Sequence, residues 1–468
     1  MIRLNTFSIS LALACLLSPA GEALARNQGK GGPARAPAVT KAERESRIAY
    51  LKKHAMPISS LDFANEDFAD LEPLRSAIGD RRIVMLGEIT HGDGPVFSAK
   101  ARLVKFLHER MGFDVLAFES GFYDMRRAWS DLRSGEDPLA AVSAAAFVDW
   151  SASLQVRPLW TYIAERLKTD RPLELAGFDM QFTGSASNDH LLNDLADHLS
   201  KAGLSPDSAA AAARVRSALA LVLGDPNHMW SGSQFKKVGA EDRAAALAAH
   251  RVLGEALGRL GPSDDAGRAE RDFWIQFLKS SAALLEQSWR VDPENLEKET
   301  LDWAINLRDR QMGENFAWLA KRAYPGRKII VWAATSHIIR HRNLVPEARD
   351  PNVLMGDWIE RSLGSETYIL GFTAYQGWWG TVEMAVPSEV APAEPDSLEG
   401  LMFSAGFESA LLDFLGLGTD GAWLKGPLSS RPLSHKPMVT DWTRVMDGIV
   451  FLKETSPSVR AGFYRLKD

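Results

Sequence analysis

The hydrophobic residues of this chain are concentrated in short runs that end at polar residues. The clearest runs are residues 83–86, 115–118, 173–178 and 328–334. Apolar runs of this length, bounded by turn residues, predict buried strands. Between the first two runs, apolar residues recur at helical spacing from Phe97 to His108. This order predicts a strand–helix–strand unit with parallel strands, and we expect an α/β fold with a mostly parallel central sheet flanked by helices.

Residues capable of acid–base chemistry follow each of these runs. They are Glu88 and His91 after the first run, then Glu119, Asp179 and His337. Each residue alone has a structural alternative, since carboxylates also cap helices and a single histidine can belong to the core. Because the carboxyl ends of parallel strands meet at one sheet edge, where such sheets bind ligands, we expect these side chains to converge there. Histidine titrates near neutral pH, so the pattern predicts an active site centred on Glu88 and His91.

Several motifs resemble those of the erythromycin esterase family. They are Gly87-Glu88-x-Thr90-His91-Gly92, Gly177-Phe178-Asp179, Arg308-Asp309-x-x-Met312-x-x-Asn315, residues 332–337, residues 363–372 and residues 446–451. The resemblance covers roughly residues 61–455. It implies hydrolysis of a carboxylic ester or lactone without a cofactor. In that mechanism His91 would take a proton from water, and Glu88 or Glu119 would orient its ring.

The chain departs from the family pattern at three positions. Members that hydrolyse macrolides usually have a glutamate and an arginine where this chain has Pro95 and Lys100, and Ala334 replaces the first of two histidines. Lysine keeps the positive charge of arginine but lacks its planar fork of donors. The resemblance therefore implies a retained hydrolytic core, while macrolides and antibiotic resistance are only one alternative. The catalytic candidates are His91, Glu88, Glu119 and His337.

Other residues are candidates for contacts with the substrate. Lys100 or His337 could stabilise a developing oxyanion. The residues that we assign to substrate binding are Lys100, Asp179, Arg308, Tyr123 and Tyr375.

Two other functions stay open at this point. The same four catalytic candidates form a nitrogen–oxygen set that could bind zinc or another divalent ion in a metal-dependent hydrolase. Alternatively, the chain could bind a small molecule without catalysis.

The predicted domain organisation begins with an export signal. Residues 1–25 have the pattern of a secretory signal peptide, which predicts a periplasmic or extracellular protein. The only cysteine, Cys15, lies in this segment, so we expect no disulfide; lipid anchoring at Cys15 is the alternative to soluble export. Residues 26–47 are predicted to be a disordered linker. Residues 48–184 and 301–468 are assigned to the α/β catalytic domain, and residues 185–300 to a helical insertion.

Composition and missing motifs argue against several classes of function. The formal charge of −6 over 468 residues gives no basic footprint, so nucleic acid is not an expected partner. Beyond the signal segment no run is long enough to span a membrane. The chain has no Gly-x-Ser-x-Gly and no His-Glu-x-x-His motif. We expect a monomer acting on a small ester or lactone, with residues 368–372 and 380–386 pairing as a hairpin.

Overall fold

We describe a computed structural model of the chain over residues 39–224, 234, 236–261, 264–292, 297–345 and 352–462. The predicted signal peptide, Cys15 and most of the predicted linker lie outside these residues.

The central element is a mixed β-sheet. The strands in chain order are β1 Met56–Pro57, β2 Ile83–Leu86, β3 Val115–Gly121, β4 Glu174–Asp179, β5 Ile329–Trp332, β6 Thr367–Trp379, β7 Ser388–Val390, β8 Ser409–Asp413, β9 Leu428–Ser430, β10 Met438–Thr440 and β11 Gly448–Thr455. Within the described ranges nine strands form one sheet in the order β1-β8-β11-β6-β2-β5-β3-β4, with β7 added to the end of β6. Neighbours from β11 to β4 are parallel, which confirms the predicted fold class.

The three central strands explain the continuous apolar runs of the sequence. Every residue of β2, β5 and β3 is buried. Strands covered by helices on both faces cannot alternate apolar and polar residues, because neither face meets water. β2 and β3 are parallel, as the strand–helix–strand pattern predicted, but they are not adjacent, since β5 lies between them and pairs with both.

Helices of the chain fall into two groups by their contacts. One unit contains residues 39–179, 183–186 and 309–462 among those described, and the other contains Met180–Phe182 and Ser187–Arg308. The helices of the first unit include Lys41–His54, Glu72–Ile78, Gly94–Met111, Phe122–Ser134, Pro138–Ser143, Val148–Ser151, Arg157–Arg166, Thr335–Ile338, Met355–Leu363 and Leu398–Ser404. The second unit is helical and includes Leu192–Lys201, Pro206–Leu223, Ala240–Arg259 and Asp265–Arg290, while the helix Lys298–Trp318 contains the boundary between the units. Over the described part of the chain, no helix is long and apolar enough to cross a membrane.

The first helix begins earlier than the sequence predicted. Residues 41–47 were assigned to the disordered linker, but the helix Lys41–His54 already starts at Lys41. Thr40 and Glu43 form a capping box in which each side chain binds the other's backbone N–H. This cap satisfies donors that the first helical turn would otherwise leave free, so the helix extends to it.

The predicted C-terminal hairpin is also corrected. Residues 380–386 form turns, and β6 instead continues to Trp379 and pairs with Ser388–Val390. The strand extends because Gln376 and Gly377 pair in register with Glu454 and Thr455 of β11. β6 lies between β11 and β2 and does not border β5, the strand before His337.

Candidate active site

The loop after β2 carries Glu88 and His91, and the loop after β5 packs against it. The backbone N–H of Thr335 donates to the carbonyl oxygen of Glu88 at 3.0 Å. Gly87 permits this approach, because a Cβ at that position would lie 2.5 Å from Oγ1 of Thr335. The convergence of strand ends that the sequence predicted therefore occurs between β2 and β5.

Glu88 is the centre of a buried charge network. Its side chain is fully buried, with Oε1 accepting from Nδ1 of His91 at 2.7 Å and from Nε1 of Trp150 at 3.0 Å. Oε2 pairs with Nζ of Lys100 at 2.5 Å, and that ammonium also lies 4.2 Å from the ring centroid of Trp332. Both oxygens of the carboxylate are thus engaged, which compensates for its removal from water.

His91 presents its second nitrogen without a partner. Within the described residues Nε2 accepts or donates no hydrogen bond, and 19% of the side chain is exposed. The rings of Phe147 and Trp150 approach it edge-on, with centroids at 5.3 and 5.6 Å. Because Nδ1 faces the Glu88 carboxylate and carries the proton, the neutral ring would have its lone pair on Nε2.

The surrounding charges control the protonation of His91. Burial lowers the pKa of His91, but the hydrogen bond and charge of Glu88, with the charges of Glu119 and Asp149, raise it overall to about 9. Burial likewise lowers the pKa of Lys100, to about 8, against the opposing charge of Glu88. Both cations are therefore maintained mainly by carboxylates in a poorly solvated site.

His337 is held differently, between two carboxylates. Its Nδ1 lies 2.7 Å from Oδ1 of Asp309, and its Nε2 lies 3.2 Å from Oε1 of Glu119. Oε2 of Glu119 accepts the N–H of Ala334 at 2.9 Å, and Asp309 accepts the N–H of Met355 at 3.0 Å. These contacts fix the His337 ring in the fold.

The residues predicted to contact the substrate come from several elements of the fold. Lys100 is fully buried and acts on Glu88, so a direct contact with substrate does not fit its position. Asp179 ends β4 and Tyr123 lies in the first turn of Phe122–Ser134, and both are buried. Tyr375 stacks on Phe403 with ring centroids 4.1 Å apart. Arg308 belongs to the helical unit.

Sequence reasoning missed several residues of the site. Asp309 stood in a motif from which we selected Arg308, and Trp150 carries the N–H that binds Glu88. Asp149 precedes Trp150 in the chain. Burial raises the pKa of Asp149 to about 6, although the positive charge of His91 opposes this rise. A buried pair of Asp93 and His435, 2.8 Å apart, adjoins the same loop. Only the Asp309 motif offered a signal in the sequence, because the others come from loops and short helices without a pattern.

Comparison with known proteins identifies the family. The family model described as erythromycin esterase matches residues 108–455, which is more than half of the chain.

The chain belongs to the erythromycin esterase family.

The predicted resemblance is thereby confirmed. The matched range begins after the loop that carries Glu88 and His91, but a relative aligns over more of the chain. This is YbfO from Bacillus subtilis (strain 168), a protein with a provisional hydrolase name, which is 28% identical over 425 residues, 88% of this chain and 91% of YbfO.

Solved structures show the same fold. A Bacillus cereus protein superposes with a TM-score of 0.72 at 18% identity, covering 90% of this chain and 99% of that one. A mutant of erythromycin esterase in its open conformation gives a TM-score of 0.60 at 18% identity, covering 88% of this chain and 99% of the other. At this identity the likeness concerns architecture only, so the chemistry of this erythromycin esterase family member rests on its own residues.

The donor set does not fit the metal site of the second hypothesis. Among the residues that the structure describes, no group of three or more His, Cys, Asp or Glu side chains is placed to hold a metal ion. Both ring nitrogens of His337 already face carboxylates, and Lys100 engages one oxygen of Glu88. A ligating histidine must direct a nitrogen lone pair at the metal, which the His337 contacts prevent.

Proposed function

We propose that this protein hydrolyses a small carboxylic ester or lactone, with His91 as general base. The observation that carries the proposal is the contrast within one ring: Nδ1 of His91 is bound to Glu88, while Nε2 has no partner among the described residues. A histidine held in one tautomer by a carboxylate can accept a proton at its other nitrogen. Family membership supports the ester-hydrolase class.

The reaction balances with water as the only other reactant. Nε2 of His91 takes a proton from water as the water oxygen bonds to the carbonyl carbon, forming a tetrahedral oxyanion. Collapse of this species breaks the bond to the alkoxy oxygen, which receives the proton from the imidazolium. The products are an acid and an alcohol, or a hydroxy acid from a lactone.

Glu88 and Lys100 have supporting roles in this scheme. Glu88 orients the ring and stabilises the imidazolium that forms during the reaction. Lys100 neutralises the other oxygen of Glu88 and so keeps the carboxylate fixed in a buried site. We assign Lys100 to positioning rather than to the oxyanion, since its ammonium is fully buried.

A substrate panel tests the proposal. The purified protein is incubated with aryl esters, lactones and macrolides, and acid and alcohol products are quantified by mass spectrometry against a blank without protein. Stoichiometric release of both products from at least one ester or lactone is expected. Binding of panel members without hydrolysis of any would contradict the proposal and favour a binding protein.

We also propose that the protein is exported through its N-terminal signal. The support is the sequence pattern of residues 1–25. Expression of the full chain in a bacterial host, followed by fractionation and N-terminal sequencing, should find a mature form starting near residue 26. A protein retained in the cytoplasm with residue 1 intact would contradict export.

A further inference from the structure

Asp93 follows the loop that carries His91. Its carboxylate binds side chains from other parts of the chain instead of capping the helix that starts after it. It occupies the N-cap of the helix Gly94–Met111, yet its side chain makes no capping hydrogen bond to that helix. The residue is fully buried. Oδ2 accepts from the N–H and the hydroxyl of Thr90 at 2.9 and 2.6 Å. Oδ1 faces Nε2 of His435 and the hydroxyl of Thr455, each at 2.8 Å. The carboxylate therefore joins its own loop to two distant parts of the chain.

His435 reaches Asp93 from a strained backbone. Ser434 and His435 both have left-handed conformations, with φ of 53° and 56°. A left-handed conformation is unfavourable for a non-glycine residue and persists only where surrounding contacts fix it. The contacts here are the His435 pair with Asp93 and a hydrogen bond of 3.0 Å from the Ser434 N–H to the carbonyl of Ile89. Both contacts end on the loop that carries His91.

The segment after β11 holds the same loop through its backbone. The N–H of Ser458 donates to the carbonyl of Gly92 at 3.0 Å, and the N–H of Gly94 donates to the carbonyl of Ser456 at 2.9 Å. The N–H of Gly380 also donates to Gly92, at 3.1 Å. These bonds bracket Asp93, so the backbone on either side of it is fixed.

We propose that the Asp93–His435 pair, with Thr455, is a positioning device that orients the His91 loop for proton transfer. The inference rests on the proposed function. Neither side chain of the pair needs to touch the reacting atoms, because each acts through the backbone of residues 89–92. Misplacing a reacting group by about 1 Å can reduce a rate by roughly 100-fold. A loop secured at both of its ends avoids that loss.

The device is separate from the contacts that hold Glu88. Lys100 and Trp150 bind the Glu88 carboxylate directly and do not contact Asp93 in the described residues. Removing the pair should therefore leave Glu88 anchored while the backbone of Thr90 to Gly92 becomes more mobile. A residue needed only for folding would instead lower stability throughout the unit.

The test uses His435→Leu and Thr455→Val in the full chain. His435→Gln is the conservative variant, since its amide N–H can replace the ring donor. His54→Gln is the matched control, because it removes a histidine–aspartate pair at the surface, 3.4 Å from Asp420. The measurements are hydrogen exchange of the amides of residues 89–94, kcat and KM on the ester that the parent hydrolyses fastest, and the thermal midpoint.

Faster exchange in residues 89–94 is expected for both disruptive variants, with kcat reduced about 10- to 100-fold and KM nearly unchanged. His435→Gln should recover most of kcat, and His54→Gln should match the parent. Unchanged exchange or unchanged kcat in Thr455→Val would overturn the proposal, and this variant decides the question if His435→Leu does not fold. If the parent hydrolyses no ester, the proposed function fails, and the exchange data alone decide whether the pair restrains the loop.

Discussion

The two histidines nearest the centre of the site, His91 and His337, differ in how their ring nitrogens are used. His91 has one carboxylate, Glu88, on Nδ1 and a partly exposed ring. His337 has carboxylates on both nitrogens, from Asp309 and Glu119. Proton transfer needs a nitrogen lone pair that can reach water, and of these two rings His91 is the one whose neutral form would present such a lone pair, on Nε2. In the proposed function, the same type of side chain therefore acts as the base in one place and is held by the fold in the other.

The largest expected effect on activity comes from removing the imidazole of His91. His91→Ala should lower kcat/KM by about 10²- to 10⁴-fold, the usual contribution of a general base. Circular dichroism and a thermal midpoint close to those of the parent would show that the fold is intact. The control is His54→Gln, which should hydrolyse the ester at the parent rate. A His91→Ala variant with nearly full activity would remove His91 from its proposed role.

The next effect concerns the charge that holds Glu88. Lys100→Met should reduce the free energy of unfolding by about 3–5 kcal/mol, because it leaves a buried carboxylate without its counter-ion. Urea unfolding followed by fluorescence measures this. Lys105→Met on the same helix is the matched control, since its partner Glu66 is 81% exposed at 3.3 Å and such pairs contribute at most about 1 kcal/mol. If the two variants lose the same free energy of unfolding, Lys100 does not stabilise the Glu88 carboxylate as described.

The smallest effect is expected on the His337 side. Asp309→Ala should reduce the free energy of unfolding by about 1–3 kcal/mol, since the His337 ring and the Met355 N–H lose a buried acceptor. Hydrolysis should fall less than in His91→Ala, because in the proposed function His91 rather than His337 takes the proton from water. Urea unfolding and initial rates measure both quantities. A larger loss of kcat/KM than in His91→Ala would reverse the roles assigned to the two histidines.

The sequence could predict the parts of the site that follow from strand geometry. Glu88, His91 and His337 lie directly after apolar runs, and parallel strands bring those ends to one edge. The position of β5 between β2 and β3 was not predictable, because crossover order depends on packing between segments more than 200 residues apart rather than on local pattern. Fold class therefore followed from the pattern, whereas strand order required the structure.

The residues that the sequence missed share a physical reason. Asp309 lies within a long helix, and Trp150 lies in a short helix that no apolar period marks. His435 sits in a left-handed turn built from non-glycine residues, where local preference opposes the observed conformation. Tertiary contacts fix all three, so propensity and periodicity carried no information about them.

The pH dependence of kcat/KM on an activated aryl ester tests the role of His91 most directly. Charges of nearby carboxylates raise the pKa of His91 to about 9, so the neutral base becomes more abundant as the pH rises through that value. The account predicts that kcat/KM increases with a midpoint near 9 and then levels off. A flat profile, or a kcat/KM that fails to rise as the pH approaches 9, would contradict the assignment of His91 as the general base.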